Sequence, residues 1–241
     1  MNNNKWHYEF HPLGENGVVI KFSNEINKQT FHLVQSLSRR LESISFPWLL
    51  EYVPAFTTVT VYYHSLYFLK NGNQPPFEKV CQELKWLLDF NGVELKVEER
   101  AVEIPVCYGG EFGPDLIEVS KYHHLSLDEV ISIHSNGEYF VYMIGFAPGF
   151  PYVGGLPNQI ATPRRSSPRM NVPEGSVGIA ANQTGIYPMQ TPGGWQIIGR
   201  TPIALFRPNE EIPSFLRAGD TIRFVPISKE EYFLIKEGCQ S

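Results

Sequence analysis

Five arginines stand within residues 145–209: Arg164, Arg165, Arg169, Arg200 and Arg207. No lysine accompanies them and Glu174 is the one acid, so this stretch carries +4 inside a chain of net charge −5. A guanidinium presents a planar fork that grips carboxylates and phosphates through two parallel hydrogen bonds, whereas an ammonium is a point charge. Arginine without lysine therefore points to oriented anion recognition, with Arg164, Arg165 and Arg169 acting together. The competing reading is that each arginine pairs with an acid from another segment or stacks on a tyrosine.

Other side chains could complete such a site. Gln183 and Tyr187 lie on a predicted hairpin, where they would orient a ligand or merely close the turn. Phe146, Phe150 and Trp195 would form an aromatic wall for a partner, or barrel core. His134 ends a helix just before this region; it is either an imidazolium favoured by the helix dipole or an acid–base group at the mouth of the arginine-rich surface. Residues 194–201 have the spacing of a phosphate-binding P-loop with Arg200 in place of lysine. A P-loop must open a helix so that its amides face the phosphates. Pro202 and a strand-like run follow instead, so we set that reading aside. No H-x-x-x-H or C-x-x-C spacing marks a metal site, and no G-x-S-x-G elbow marks a serine nucleophile.

The elements that must position these groups fall into two parts. Residues 1–103 alternate strand and helix signals and read as an α+β domain, for which we expect a ferredoxin-like arrangement. A helix capped at Ser23 or Asn24 carries Phe31, Val34, Leu37, Leu41 and Ile44 at spacings of three and four. Val59, Val61 and Tyr63 share one strand face. Pro75-Pro76 starts a second helix, Asn91-Gly92 ends it, and residues 93–97 alternate as a strand. Residues 104–241 read as a mainly-β domain. The strand 102–107 leads to a turn at Gly109-Gly110, then to a short helix near Pro114-Asp115 and a second with a capping box at Ser126 and Glu129. Thereafter come short strands at 139–144, 177–181, 196–198, 203–206 and 221–225, as in a barrel or sandwich. Eleven of the nineteen prolines and ten of the twenty glycines lie in residues 145–213. The large apolar residues among them argue for ordered loops rather than a linker, and ordered loops commonly hold sites.

The 241 residues are 42% hydrophobic and 19% charged, as in a packed protein. No stretch has the roughly 20 apolar residues of a membrane helix, and no apolar core follows the first residues as in a signal peptide. Cys81, Cys107 and Cys239 are odd in number and scattered, which suits neither a disulfide framework nor zinc. We expect a cytoplasmic protein. The acidic balance disfavours nucleic-acid binding.

Several strings resemble one family. They are Gly145-Phe146-Ala147-Pro148-Gly149-Phe150-Pro151-Tyr152, Thr162-Pro163-Arg164-Arg165, Val172-Pro173-Glu174-Gly175-Ser176-Val177-Gly178, Gln183-Thr184-Gly185-Ile186-Tyr187-Pro188 and Thr191-Pro192-Gly193-Gly194-Trp195-Gln196. Upstream, Ile104-Pro105-Val106-Cys107-Tyr108-Gly109-Gly110 and His134-Ser135-Asn136-Gly137 fit the same pattern. The chain is similar to the family of 5-oxoprolinase B subunits, also called KipI or allophanate hydrolase subunit 1. The resemblance implies a cyclophilin-like barrel after the α+β domain. It implies work with an A subunit together with a larger C subunit, in a complex that hydrolyses ATP and opens 5-oxo-L-proline to glutamate. It leaves open whether ATP touches this chain. It also implies an alternative, inhibition of a sporulation histidine kinase through the C-terminal domain. A stand-alone cyclophilin-like isomerase is a third option, which a barrel fold alone does not support.

Overall fold

The computed structural model describes residues 7–70, 74–89 and 100–238. The chain divides into two compact units, Met1–Val97 and Glu98–Ser241.

The first unit begins with a hairpin of β1 (Glu9–Leu13) and β2 (Gly17–Lys21). Next come α1 (Lys28–Ser43), β3 (Leu49–Pro54), β4 (Thr58–Tyr63), α2 (Ser65–Lys70) and α3 (Pro76–Asp89). The four strands form one antiparallel sheet in the order β1-β2-β4-β3. Phe31, Val34, Leu37 and Leu41 of α1, with Val80, Leu84 and Leu87 of α3, are buried with Val18, Ile20, Val59 and Val61 of the sheet. The cap of α1 is Asn27, whose side chain accepts from Thr30 N at 2.8 Å. Ser23, one of the two caps expected, instead accepts from Glu25 N in a turn before the helix. The ferredoxin-like order is not established. A ferredoxin-like fold places its last strand beside its first, and the position beside β2 is held by β1. The stop at Asn91-Gly92 and the strand at 93–97 lie outside the described residues.

The second unit runs β5 (Ala101–Tyr108), α4 (Leu116–His123), α5 (Leu127–Ser135), β6 (Tyr139–Ile144) and β7 (Pro151–Gly154). It continues with β8 (Arg169–Val172), β9 (Ser176–Ala180), β10 (Gln183–Ile186), β11 (Thr191–Gly193), β12 (Gln196–Arg200), β13 (Thr221–Pro226) and α6 (Lys229–Gly238). Seven strands close a barrel in the order β10-β7-β6-β13-β5-β12-β9, while β8 and β11 pair as a separate ribbon. Strands β5 and β13 run parallel, and closure removes the open edges of the sheet. Alternate residues such as Ile104 and Val106, Val177 and Ile179, and Ile222 and Phe224 fill the interior. The Ser126–Glu129 capping box opens α5 as expected. Residues 203–206 do not form the expected strand. Pro202 and Pro208 lack ladder donors, and this segment keeps only a bridge from Phe206 to Ser214. Helix α6, unforeseen, opens with its own capping box: Glu231 N donates to Ser228 Oγ and Ser228 N to the Glu231 carboxylate.

One junction of the barrel sets the position of the arginine-rich segment. Pairing of β12 with β9 shifts register between Ile197 and Gly199, a bulge. On its other side β12 pairs with β5 only through Gly199 and Arg200. The turn after β5 then takes over the edge: Gly109 N donates to Ile198 O at 3.0 Å, and Asp115 N to Ile197 O at 2.9 Å. Gly109 and Gly110, at φ 70° and 52°, make the reversal that this requires. Gly113 lies flat on β12, where a β-carbon would overlap the Ile198 carbonyl. Among the described residues no helix is long and apolar enough to cross a membrane. Gly113→Ala should lower the unfolding free energy by about 1–3 kcal/mol or more. Urea denaturation measures this, and an unchanged midpoint would mean that the turn does not lie on β12 as described.

Candidate functional site

The turn on β12 delivers Asp115 beneath the arginine-rich segment. Asp115 is 2% exposed and precedes α4, yet its side chain does not cap that helix. Its Oδ1 accepts from Arg165 Nη1 at 2.8 Å and Arg169 Nη2 at 2.6 Å. Its Oδ2 accepts from Arg169 Nη1 at 2.7 Å and from Ile197 N at 2.6 Å. Arg169 therefore grips the carboxylate with both arms of its fork, and this contact raises the affinity of its guanidinium for its proton. Arg165 also reaches Glu118 at 3.3 Å. The picture of three arginines facing one anion gives way to a different one. Arg165 and Arg169 are held by a buried acid of their own chain, because a carboxylate so desolvated needs cationic partners.

The remaining member of the trio is placed by its neighbours. Gln196 Nε2 donates to Pro163 O at 3.1 Å, and Arg165 N donates to Gly194 O at 2.8 Å. Arg164 is thus fixed on both sides while its side chain is exposed and, among the described residues, makes no ion pair. It lines a cavity of 210 Å³ whose other walls are Phe146, Phe150, Tyr152, Tyr187, Trp195 and the segment Pro192, Gly193 and Gly194. Phe150 is the hub: its ring centroid lies 5.5 Å from that of Phe146, 5.2 Å from Tyr152, 5.6 Å from Tyr187 and 5.8 Å from Trp195, all near edge-to-face. Gly193 and Gly185 are required here, because a β-carbon would collide with the Tyr187 hydroxyl and the Trp195 ring respectively.

Two further details shape the cavity. Phe146 has φ 71° and Ala147 N donates to Gly145 O at 2.9 Å, a γ-turn of the rare positive-φ kind. Such a conformation costs about 1–3 kcal/mol in a non-glycine residue. It holds the Phe146 ring out, 69% exposed, at the cavity wall. Burial raises the Tyr187 phenol, opposed by the backbone N–H of Trp195 and by Arg164 and Arg169.

The other expected site residues lie elsewhere. Gln183 pairs with Ala180 at the start of β10 and does not line the cavity. Arg200 sits at the far end of β12 with its guanidinium 5.8 Å from the Phe112 ring centroid. His134 is fully buried in the barrel, stacked on Phe224 at 4.5 Å. Its Nδ1 is 2.7 Å from the Tyr108 hydroxyl and its Nε2 is 3.1 Å from Thr184 Oγ1. Thr184 donates its one proton to Gly178 O, so it accepts from Nε2–H, and Nδ1 accepts from Tyr108. Burial lowers the His134 pKa to about 3. His134 is thus a neutral core group, neither the dipole-stabilised imidazolium nor a histidine at the cavity. Among the described residues no three His, Cys, Asp or Glu side chains converge as a metal site. Sequence reasoning missed Asp115, taken only as a helix start, and Tyr152 and the Gly193-Gly194 wall. Glu111 and Glu118 flank Asp115 in the same stretch, so no sequence signal singled it out from them.

Known proteins share this sequence and fold. Residues 8–216 match the family model for the carboxyltransferase domain, subdomain C and D. A 5-oxoprolinase B subunit from Bacillus subtilis is 52% identical, over 95% of this chain and 97% of its own length. One from Escherichia coli O157:H7 is 41% identical, over 89% and 94%. The crystal structure of TTHA0988 superposes with a TM-score of 0.74 at 32% identity; the match covers 88% of this chain but 40% of that longer one.

Two outcomes are expected from the geometry. Asp115→Asn strands two guanidiniums and should lower stability by about 3 kcal/mol, the partial solvent access of the arginines keeping it from being larger. A denaturation midpoint equal to wild type would contradict the clamp. For His134, the folded pKa lies below the unfolded one, so the unfolded chain binds the extra proton between pH ~6.5 and ~3 and stability falls with acidification there. Wild type should therefore lose up to about 1.4 kcal/mol per pH unit more than His134→Gln across that window. Parallel slopes in the two proteins would show that His134 is not held neutral.

Proposed function

The chain belongs to the family of 5-oxoprolinase B subunits, and from that premise we propose that it is a non-self-sufficient subunit of a complex that opens 5-oxo-L-proline to L-glutamate with hydrolysis of ATP. Its companions in this reading are an A subunit together with a larger C subunit. A lactam is a resonance-stabilised amide, and ATP hydrolysis in the complex supplies the drive for opening it.

The observation that carries this reading is the composition of the cavity. Its walls offer an anion-binding guanidinium, phenol hydroxyls and aromatic surface, but among the described residues no carboxylate, imidazole, thiol or amine that would accept a proton or attack carbon near neutral pH. Such a cavity binds and orients; it does not by itself catalyse. The missing groups must come from another chain. The length of TTHA0988 agrees, since the counterpart of this chain occupies 40% of it and further chain is joined to it there. Within the complex, Arg164 would hold a carboxylate and the aromatic walls would exclude water from the lactam, positioning it for partner groups. Inhibition of a histidine kinase draws no support from the cavity or from the 5-oxoprolinase relatives.

Glutamate release from 5-oxo-L-proline and ATP, with each subunit omitted in turn, tests this. The purified chain alone should be inactive and its omission should abolish release. Full activity without it would overturn the proposal.

A further inference from the structure

We infer that the Arg164 cavity receives the lactam acid itself, a small ring-bearing monocarboxylate, and that it has no place for the nucleotide. This rests on the proposed function and assigns one of its two substrates to this chain. Size favours the smaller molecule. Sites for drug-sized ligands span about 300–1,000 Å³, and this cavity is 210 Å³. A nucleoside triphosphate, with base, sugar and phosphates, belongs to the larger class; a single five-membered ring with one carboxylate fits the smaller.

Charge points the same way. A triphosphate requires several cations or a metal held by carboxylates. The cavity presents Arg164 alone, because Arg165 and Arg169 are committed to Asp115. Among the described residues no acid lines it to hold a metal. Gly193 ends the ribbon strand β11 and Gly194 leads on to the strand β12, so this wall points no helix N-terminal amides at a phosphate. One guanidinium against one carboxylate is the matched pair.

Shape and polarity agree with both. The exposed Phe146 and the half-buried Tyr152, both held against the buried Phe150 ring, leave aromatic surface for ring methylenes. The Tyr187 side chain lines the same cavity, and its hydroxyl, kept protonated by burial, is a donor for the lactam oxygen. Arg164 and Tyr187 are then the two polar points that set how the ring lies.

The test is the reconstituted complex carrying wild-type, Arg164→Lys or Arg164→Ala chain, with KM measured separately for 5-oxo-L-proline and for ATP. The Arg164 side chain is exposed and outside the Asp115 clamp, so its truncation leaves the fold intact. Arg164→Ala should raise the KM for 5-oxo-L-proline about tenfold to a hundredfold, as loss of a charge-assisted hydrogen bond does, with Arg164→Lys between and the KM for ATP unmoved. An unmoved KM for 5-oxo-L-proline, or a rise in that for ATP instead, overturns the inference while the subunit role stands. Failure of the wild-type complex to release glutamate would sink the subunit role itself. Tryptophan emission of the chain alone would then decide the cavity: a saturable change with 5-oxo-L-proline, lost in Arg164→Ala and in Trp195→Phe, supports it, and no change overturns it.

Discussion

A buried carboxylate with two guanidiniums and one backbone amide organises the second unit of this protein. Where β12 bulges at Ile197–Gly199, its edge has lost a regular strand partner. Asp115 replaces that partner: its amide donates to Ile197 O, and its carboxylate accepts from Ile197 N in place of a strand carbonyl. The same carboxylate then fastens Arg165 and Arg169. Three segments far apart in sequence meet on one acid that is almost fully shielded from water. A buried ion pair of this kind contributes little net stability over an apolar substitute, but it fixes one arrangement firmly, because losing either side leaves an uncompensated charge.

What it fixes is the position of Arg164. The segment is tied on both sides, and the exposed guanidinium is carried between the ties to the aromatic cavity. The cavity itself relies on close backbone approaches at Gly193 and Gly185 and on the strained turn at Phe146. Strain retained in a non-glycine residue signals a position over-determined by its surroundings, and such positions gather at binding sites. Aromatic walls and one oriented cation, with no carboxylate, imidazole, thiol or amine among the described lining residues, fit the half-site proposed above. A half-site of this kind has no need of a catalytic triad or a metal cluster in its own walls.

Much of the fold was legible from pattern. The stripes of α1 and α3, the alternation of β4 and the capping box of α5 are local signals, and local signals survive into the structure. The barrel was legible from short strands and turn residues, though its closure was not, since closure depends on register between distant strands. The arginine anomaly marked the region that lines the cavity, and Phe150, Trp195 and Tyr187 were singled out as aromatic and polar candidates there. Their partition was not legible. Arg164, Arg165 and Arg169 look alike in sequence; only the tertiary placement of Asp115, 50 residues before Arg165 and 54 before Arg169, separates the first from the two that are bound. His134 was misread for the same reason, because its burial comes from the barrel closing around it and not from its place on α5.

The most direct measurement is the structure of the assembled complex with 5-oxo-L-proline and a non-hydrolysable nucleotide bound. The expected result is the lactam ring against Phe146 and Tyr152, with its carboxylate on Arg164, the Asp115 clamp unchanged, and the nucleotide held by another subunit. Nucleotide phosphates in the Arg164 cavity, or Arg165 and Arg169 released from Asp115 to bind them, would contradict it.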